Sequence, residues 1–150
     1  MSAAERRARF RELHARDELF LMPNPWDVGS ARLLAAVDHP ALGVVWDPAN
    51  AFVAGEVPYP QGYRHIPLSR IAHVHAKDCT VANHVPVFGP LGDMGPGSVD
   101  WPGQLGALAR DGYRGTVSLE THWKGPDGDK FQGSMICGRN LQEMIRHAGA

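Results

Sequence analysis

Three residues of types that bind metals or move protons stand at the ends of separate apolar runs. The runs and their terminal residues are Leu42 to Trp46 with Asp47, Ile71 to His75 with His75 itself, and Thr116 to Leu119 with Glu120. If the runs are parallel strands, their carboxyl ends meet at one rim, where the chemistry of α/β proteins sits. Two carboxylates and one imidazole suit a divalent cation such as Mn²⁺, Mg²⁺, Co²⁺ or Zn²⁺, with positions left for water and substrate. The sequence therefore predicts a metal site formed by Asp47, His75 and Glu120.

Each of these residues also has an ordinary structural interpretation, which the sequence leaves open. Asp47 suits a helix cap or a turn, His75 a hydrogen-bonded strand histidine, and Glu120 a surface charge. Ligands on separate strands have no fixed spacing, so spacing does not decide between the interpretations. His73 lies two residues before His75 and so faces the same side of the strand. We assign His75 as the ligand because it is nearer the carboxyl end, and His73 to packing or to a supporting contact.

Polar residues that follow two of the runs are candidates for substrate contact. Lys77 and Asp78 come just after His75, where they either pair with each other or meet a substrate. His122 and Trp123 come just after Glu120 and either line the mouth of a pocket or are exposed loop residues.

The remaining periodicity alternates helix and strand, which predicts an α/β fold with parallel strands. The apolar run Leu19 to Met22 ends at Pro-Asn-Pro and reads as a further strand. Helical patterns cover residues 3 to 17, about 27 to 36, Trp101 to Tyr113 and Asp129 to His147. Residues 79 to 100 have repeated Gly and Pro without periodicity, so we expect a long loop there, either a lid or a disordered segment. Its glycines match no nucleotide-binding motif.

Composition limits the classes of protein that the chain can represent. The 150 residues, 43% of them hydrophobic, suffice for a single globular domain. Fifteen basic and sixteen acidic residues give a net charge of -1, which argues against nucleic-acid and membrane partners. The chain has no apolar run long enough to span a bilayer, it opens with Arg and Glu instead of an apolar leader, and it has two cysteines. We therefore expect a soluble, cytoplasmic protein with free thiols.

Four segments resemble the last three strand-end motifs of the sugar phosphate isomerase/epimerase proteins, the xylose-isomerase-like TIM barrels. In order they are GVVWDPANAF, RIAHVHAKD, GPLGDMGPGSVDWPG and YRGTVSLETHW. The resemblance covers about residues 37 to 147. It implies a divalent metal held by Glu, Asp, His and Glu from four strands, with Asp47, His75 and Glu120 as the last three of these ligands. Asn50 stands where the family often has a histidine.

Residues 1 to 36 instead resemble the isocitrate lyase/phosphoenolpyruvate mutase superfamily, through FRELHARDELFLMPNPWDVGSARLLAA. The chain is then a fusion within a single domain, 1–150, of one βα unit (1–36) with the βα units of another barrel (37–150). The expected fold is a partial, half TIM-type (β/α) barrel of about four parallel strands. Its open edges favour a homodimer that completes the barrel, and a small open sheet is the alternative.

The resemblance implies an isomerase or epimerase that acts on a small sugar, sugar phosphate or polyol by proton transfer next to a carbonyl. Glu120 would be acid or base, with Lys77 and His122 near the substrate. Because the first glutamate ligand is missing, we expect weak turnover or none. The alternative is a non-catalytic half-barrel, a natural fusion or engineered chimera, that keeps a vestigial metal- or polyol-binding site. Whether the chain is an enzyme is therefore left open by the sequence.

Overall fold

A computed structural model of the protein describes residues 43–149, together with a few isolated positions before them. Those positions are 5, 8, 12, 15, 29, 32, 33, 36 and 37. Positions 5, 8, 12, 29, 32, 33 and 36 are helical, in agreement with the two helices expected in this part of the chain. The predicted strand Leu19 to Met22 lies outside the described residues.

Three of the strands in the described range form a parallel sheet. The strands are β1 (Val44–Trp46), β2 (Ile71–Ala76), β3 (Asp78–Ala82), β4 (Val85–Gly89) and β5 (Thr116–Leu119). The sheet has the order β1-β2-β5 with both pairs parallel, as the three apolar runs predict. His73 is in register with Val45 on one side and with Thr116 on the other, so the three strands end at the same rim. Among the described residues the sheet stays open and does not close into a barrel.

Three helices, α1 (Pro48–Val53), α2 (Trp101–Arg110) and α3 (Lys130–Ala148), follow the strands of this sheet or lead into them. Each begins at an aspartate whose carboxylate accepts backbone N–H groups of the first turn: Asp47, Asp100 and Asp129. Proline in the first turn of α1 and α2 suits the helix start, because the missing N–H would have no partner there. Short helical turns at Pro58–Gly62, Tyr63–His65 and Leu68–Arg70 connect α1 to β2.

The two faces of the sheet differ in character. The buried face contributes Val44, Trp46, Val74 and Ala76 to one core with Leu105 and Leu108 of α2 and Cys137 and Leu141 of α3. The opposite face has half-buried residues: Val45, His73, His75 and Ser118. This second face, which would be the inner one of a complete barrel, therefore has three polar side chains beside one apolar side chain.

The prediction of a loop over residues 79 to 100 is wrong for the first half of this segment. Strands β3 and β4 pair antiparallel as a hairpin, with Ala82 opposite Val85. Its two turn residues, Asn83 and His84, have φ values of 51° and 63°. Two consecutive left-handed residues make the tight turn that matches strand twist. Sequence reasoning missed it because His84 is an uncommon turn residue and Pro86 lies within the second strand.

The apolar residues of α3 divide between a buried stripe and exposed positions. Gly133, Cys137 and Leu141 form its buried stripe, at four-residue spacing. Phe131, Met135 and Ile145 are 75%, 48% and 44% exposed. The buried stripe is therefore narrower than the apolar content of the helix suggests.

Candidate metal centre

The register of the sheet brings the candidate ligands to one rim. His73, His75 and Lys77 alternate to the same side of β2 and its extension. His75 lies opposite Ser118, and the backbone N–H of Glu120 donates to the carbonyl of Ala76 at 2.9 Å, which continues the ladder one residue past β5. Glu120 therefore lies beside the end of β2, on the side of the sheet that carries the two histidines.

Asp47 has both of the roles that the sequence left open. Its Oδ1 caps α1 by accepting the N–H of Asn50 at 3.0 Å. Its Oδ2 is directed to the rim, 2.6 Å from Lys77 Nζ and 3.8 Å from His75 Nδ1. The helix cap fixes the carboxylate orientation and leaves one oxygen for the site.

Asp47, His75 and Glu120 converge closely enough to share one ion. Each offers one ligand atom, and these atoms all lie within 4.8 Å of one another. The shortest contact among them joins His75 Nδ1 and Glu120 Oε2 at 3.1 Å. One imidazole nitrogen and two carboxylate oxygens are a donor set that first-row divalent ions and Mg²⁺ accept. The chemistry of the residues thus fits the metal that the sequence predicts.

Lys77 lies at the centre of the same cluster. Its Nζ donates to Asp47 Oδ2 and to Glu120 Oε2, at 2.6 Å each, and its side chain is 5% exposed. The expected alternative, a pair between Lys77 and Asp78, does not form, since successive residues of an extended chain point to opposite sides. Lys77 joins the two carboxylates that sequence reasoning assigned to a metal.

Asp78 belongs to the scaffold instead. Its carboxylate accepts three backbone N–H groups, from Cys79 at 2.9 Å, Gly92 at 2.9 Å and Val99 at 3.1 Å. Burial raises the pKa of Asp78, and these three hydrogen bonds oppose that shift. Asp78 therefore fastens the loop after β4 to the end of β2.

The charges around Glu120 favour its ionised form. Partial burial alone would raise the pKa of this carboxyl, but the hydrogen bond and positive charge of Lys77 act against burial. With smaller contributions from His122 and His75, they bring the pKa of Glu120 below its ordinary value. Glu120 is thus an ionised carboxylate at neutral pH.

His122 lies at the outer side of the cluster. Its Nε2 is 3.5 Å from Glu120 Oε1, and its ring stacks on Phe88 of β4 with centroids 4.6 Å apart. Sequence reasoning missed Phe88, because only recognition of the hairpin could have predicted that it returns to this rim. Trp123, expected at a pocket mouth or on an exposed loop, instead packs against the core.

Two further contacts support the rim. His73 Nε2 is 2.7 Å from Ser118 Oγ, and burial followed by the neighbouring His75 lowers the pKa of His73. The loop after Glu120 passes close to α3 at Gly133, where a β-carbon would be 2.8 Å from Trp123 O. Only glycine permits that approach.

A comparison with protein families agrees with this arrangement. The family described as xylose isomerase-like TIM barrel matches residues 10–141, most of the chain. The chain belongs to this family. Membership of the family suggests sugar phosphate isomerase- or epimerase-like chemistry at the family level. The match begins inside residues 1–36, and the resemblance of that segment to the lyase/mutase superfamily stays a prediction.

Other comparisons add no relatives. No curated protein and no solved structure matches the chain. Within the described residues, every helix is too short or too polar to cross a bilayer.

Proposed function

We propose that the chain is a divalent-metal-dependent isomerase or epimerase of a small sugar, sugar phosphate or polyol, acting by proton transfer next to a carbonyl. The observation that carries the proposal is the convergence of Asp47, His75 and Glu120 within 4.8 Å, at the carboxyl ends of adjacent parallel strands. Membership of the xylose isomerase-like family supports the reaction class. The ion would be Mn²⁺, Mg²⁺, Co²⁺ or Zn²⁺.

In this proposal the residues of the cluster have separate roles in metal binding, proton transfer and positioning. Asp47, His75 and Glu120 would hold the ion, which when bound polarises a substrate carbonyl as a Lewis acid. Glu120 is the group assigned to proton transfer, because its side chain is 41% exposed and its carboxylate is ionised at neutral pH. His122 contacts Glu120 at 3.5 Å and so orients the carboxylate beside a substrate. Lys77, whose ammonium lies 2.6 Å from Glu120 in the metal-free protein, would lie near the substrate.

Turnover is expected to be weak. The family resemblance implies a fourth ligand, a glutamate, and within the described residues the metal cluster has three members. That glutamate would pair with Glu120 as the second base across the substrate. Loss of one general base costs ~10²–10⁴ in rate.

The second candidate is a non-catalytic half-barrel, a fusion or chimera with a vestigial metal- or polyol-binding site. The open sheet of three described parallel strands favours it. So does Lys77, whose ammonium neutralises part of the negative charge that would attract an ion. Residues 1–36 would then be the segment taken from the lyase/mutase-like barrel.

Solvent deuterium exchange separates the two candidates. The protein is incubated with Mn²⁺ in D₂O with aldoses, ketoses, their phosphates and keto-inositols, and NMR follows loss of the proton next to the carbonyl. We expect slow exchange that is lost in Glu120→Gln and kept in Glu143→Gln, a matched exposed glutamate on α3. Metal binding without exchange would favour the vestigial site. Absence of metal binding by the wild type would contradict the metal-dependent enzyme and would leave the second candidate only as a polyol-binding site.

We also propose that two copies associate through the sheet. β5 pairs only with β2 among the described strands, so its outer edge offers unpaired backbone groups to a second copy. Light scattering on a size-exclusion column should give the mass of a dimer, and the mass of a single chain would contradict it. Partners from the nucleic-acid and membrane classes are not expected, and the cytoplasmic location stays a prediction from composition.

A further inference from the structure

The ammonium of Lys77 lies at the position that suits a bound cation. It is 2.6 Å from Asp47 Oδ2 and 2.6 Å from Glu120 Oε2. The same two oxygens are the carboxylate atoms nearest His75 Nδ1, at 3.8 Å and 3.1 Å. The oxygens that would bind a divalent ion are therefore the oxygens that accept hydrogen bonds from Lys77.

Burial and backbone contacts fix Lys77 in this position. Its side chain is 5% exposed, and that of Asp47 is 4% exposed, so water competes little for their contact. The carbonyl of Lys77 accepts the indole N–H of Trp101 at 3.0 Å, and the next residue, Asp78, fastens the loop after β4. The backbone is thus held at both ends of the residue, and only the side chain is free to leave the carboxylates.

We propose that Lys77 is a built-in competitor for the divalent ion, which binds only when the ammonium moves off Asp47 Oδ2 and Glu120 Oε2. The inference rests on the proposed function, since it takes the metal to bind at this cluster. Two cations cannot share the same pair of oxygens without strong repulsion, because like charges a few ångströms apart interact strongly where water is excluded. Lys77 sets how tightly the ion is held, and the metal-free protein keeps its buried carboxylate paired.

Titration of the protein with Mn²⁺ tests the proposal, with free Mn²⁺ measured from its electron paramagnetic resonance signal. Removal of the ammonium in Lys77→Met should tighten Mn²⁺ binding roughly tenfold or more. Lys77→Gln should give a smaller gain, because its amide still donates one hydrogen bond. Lys124→Met removes an equal charge at an exposed position and should leave the affinity unchanged. Glu120→Gln added to Lys77→Met should abolish the gain, which ties it to this site.

The outcomes separate this inference from the proposed function. If the wild type binds Mn²⁺ and the folded Lys77 variants bind it no more tightly, only the inference fails. If none of these proteins binds Mn²⁺, both fail. Binding by the Lys77 variants alone would support competition by Lys77 and would contradict metal-dependent activity of the wild type.

A second measurement uses the wild type, in case the Lys77 variants fold poorly. The extent of acylation of Lys77 by a small amine-reactive acylating agent is measured by mass spectrometry. It should increase on addition of saturating Mn²⁺, because the buried ammonium is displaced. Unchanged acylation of Lys77 would overturn the inference.

Discussion

Two kinds of carboxylate meet in space around the end of β2. Asp47 Oδ2 and Glu120 have side-chain partners, chiefly Lys77 and His75. Asp78 has three backbone N–H partners instead. Side chains can rotate away and give up a carboxylate to an ion or a substrate, whereas backbone N–H groups cannot move without unfolding a loop. The first kind therefore forms a site and the second a scaffold, although the sequence places Lys77 and Asp78 side by side.

Removal of the scaffold carboxylate should have the largest effect on stability. Asp78→Ala leaves buried N–H groups without acceptors, and we expect a loss of about 3 kcal/mol in the free energy of unfolding, measured with urea. Asp93→Ala, an exposed aspartate of the same loop, should change it by less than about 0.5 kcal/mol. A loss as small for Asp78→Ala would mean that this carboxylate does not hold the loop.

Removal of the site carboxylate Glu120 should weaken metal binding strongly and change the stability of the fold little. Glu120→Gln removes a charged ligand, so Mn²⁺ affinity should fall roughly 100-fold. The free energy of unfolding should change by less than about 1 kcal/mol, because the side chain is 41% exposed. Isothermal titration and urea unfolding measure the two quantities, with Glu143→Gln as the control. A stability loss equal to that of Asp78→Ala would erase the distinction between the two kinds of carboxylate.

The pH dependence of unfolding in alkaline solution tests whether water is excluded from the Cys79 thiol, next to Asp78. Burial, followed by the charge of Asp78, raises the pKa of Cys79 from 9.0 to about 11. The unfolded thiol loses its proton first, so the stabilisation is complete below pH 9 and is lost as the pH rises through about 11. The free energy of unfolding should fall by on the order of 2 kcal/mol over this range.

The variant Cys79→Ala should flatten that dependence between pH 9 and 10. Above pH 10, Tyr63 adds a fall of its own, since burial and then its hydrogen bond to Asp111 raise its pKa from 10.0 to about 12. If the free energy of unfolding falls equally steeply below pH 10 in the wild type and in Cys79→Ala, the thiol is not shielded from water.

The smallest effect is expected at the outer side of the site. Phe88→Leu removes the ring that stacks on His122, at a cost of about 0.5–1 kcal/mol. The ring protons of His122 should lose the ring-current shift that Phe88 imposes, measured by NMR. Val87→Ala, at an exposed neighbour on β4, should leave these signals in place. Unchanged His122 signals in Phe88→Leu would rule out the stack.

The sequence was sufficient for the parts of the molecule that depend on local pattern. Unbroken β-branched runs predicted β1, β2 and β5, and Thr116 to Leu119 was predicted with its observed bounds. Parallel pairing then followed from the alternation with helices, and with it the meeting of Asp47, His75 and Glu120 at one rim. The cap role of Asp47 was among the alternatives, and the structure combines it with the site role.

The parts that failed depend on contacts between distant residues. The partner of Lys77 was undecided because Asp47 and Glu120 are 30 and 43 positions away. The hairpin and its Phe88–His122 stack depend on a turn of Asn83 and His84 that has no strong composition signal. The exposed apolar residues of α3 show that periodicity gives the direction of a stripe but not its width. The predicted strand Leu19 to Met22, outside the described residues, stays a prediction.

Diffraction from crystals soaked in Mn²⁺, recorded for anomalous scattering, tests the central claim most directly. We expect one strong peak about 2.2 Å from a nitrogen of His75 and from carboxylate oxygens of Asp47 and Glu120. Lys77 should then have moved off both carboxylates. A map without a peak at this rim, with Lys77 still bridging Asp47 and Glu120 at saturating Mn²⁺, would contradict the account.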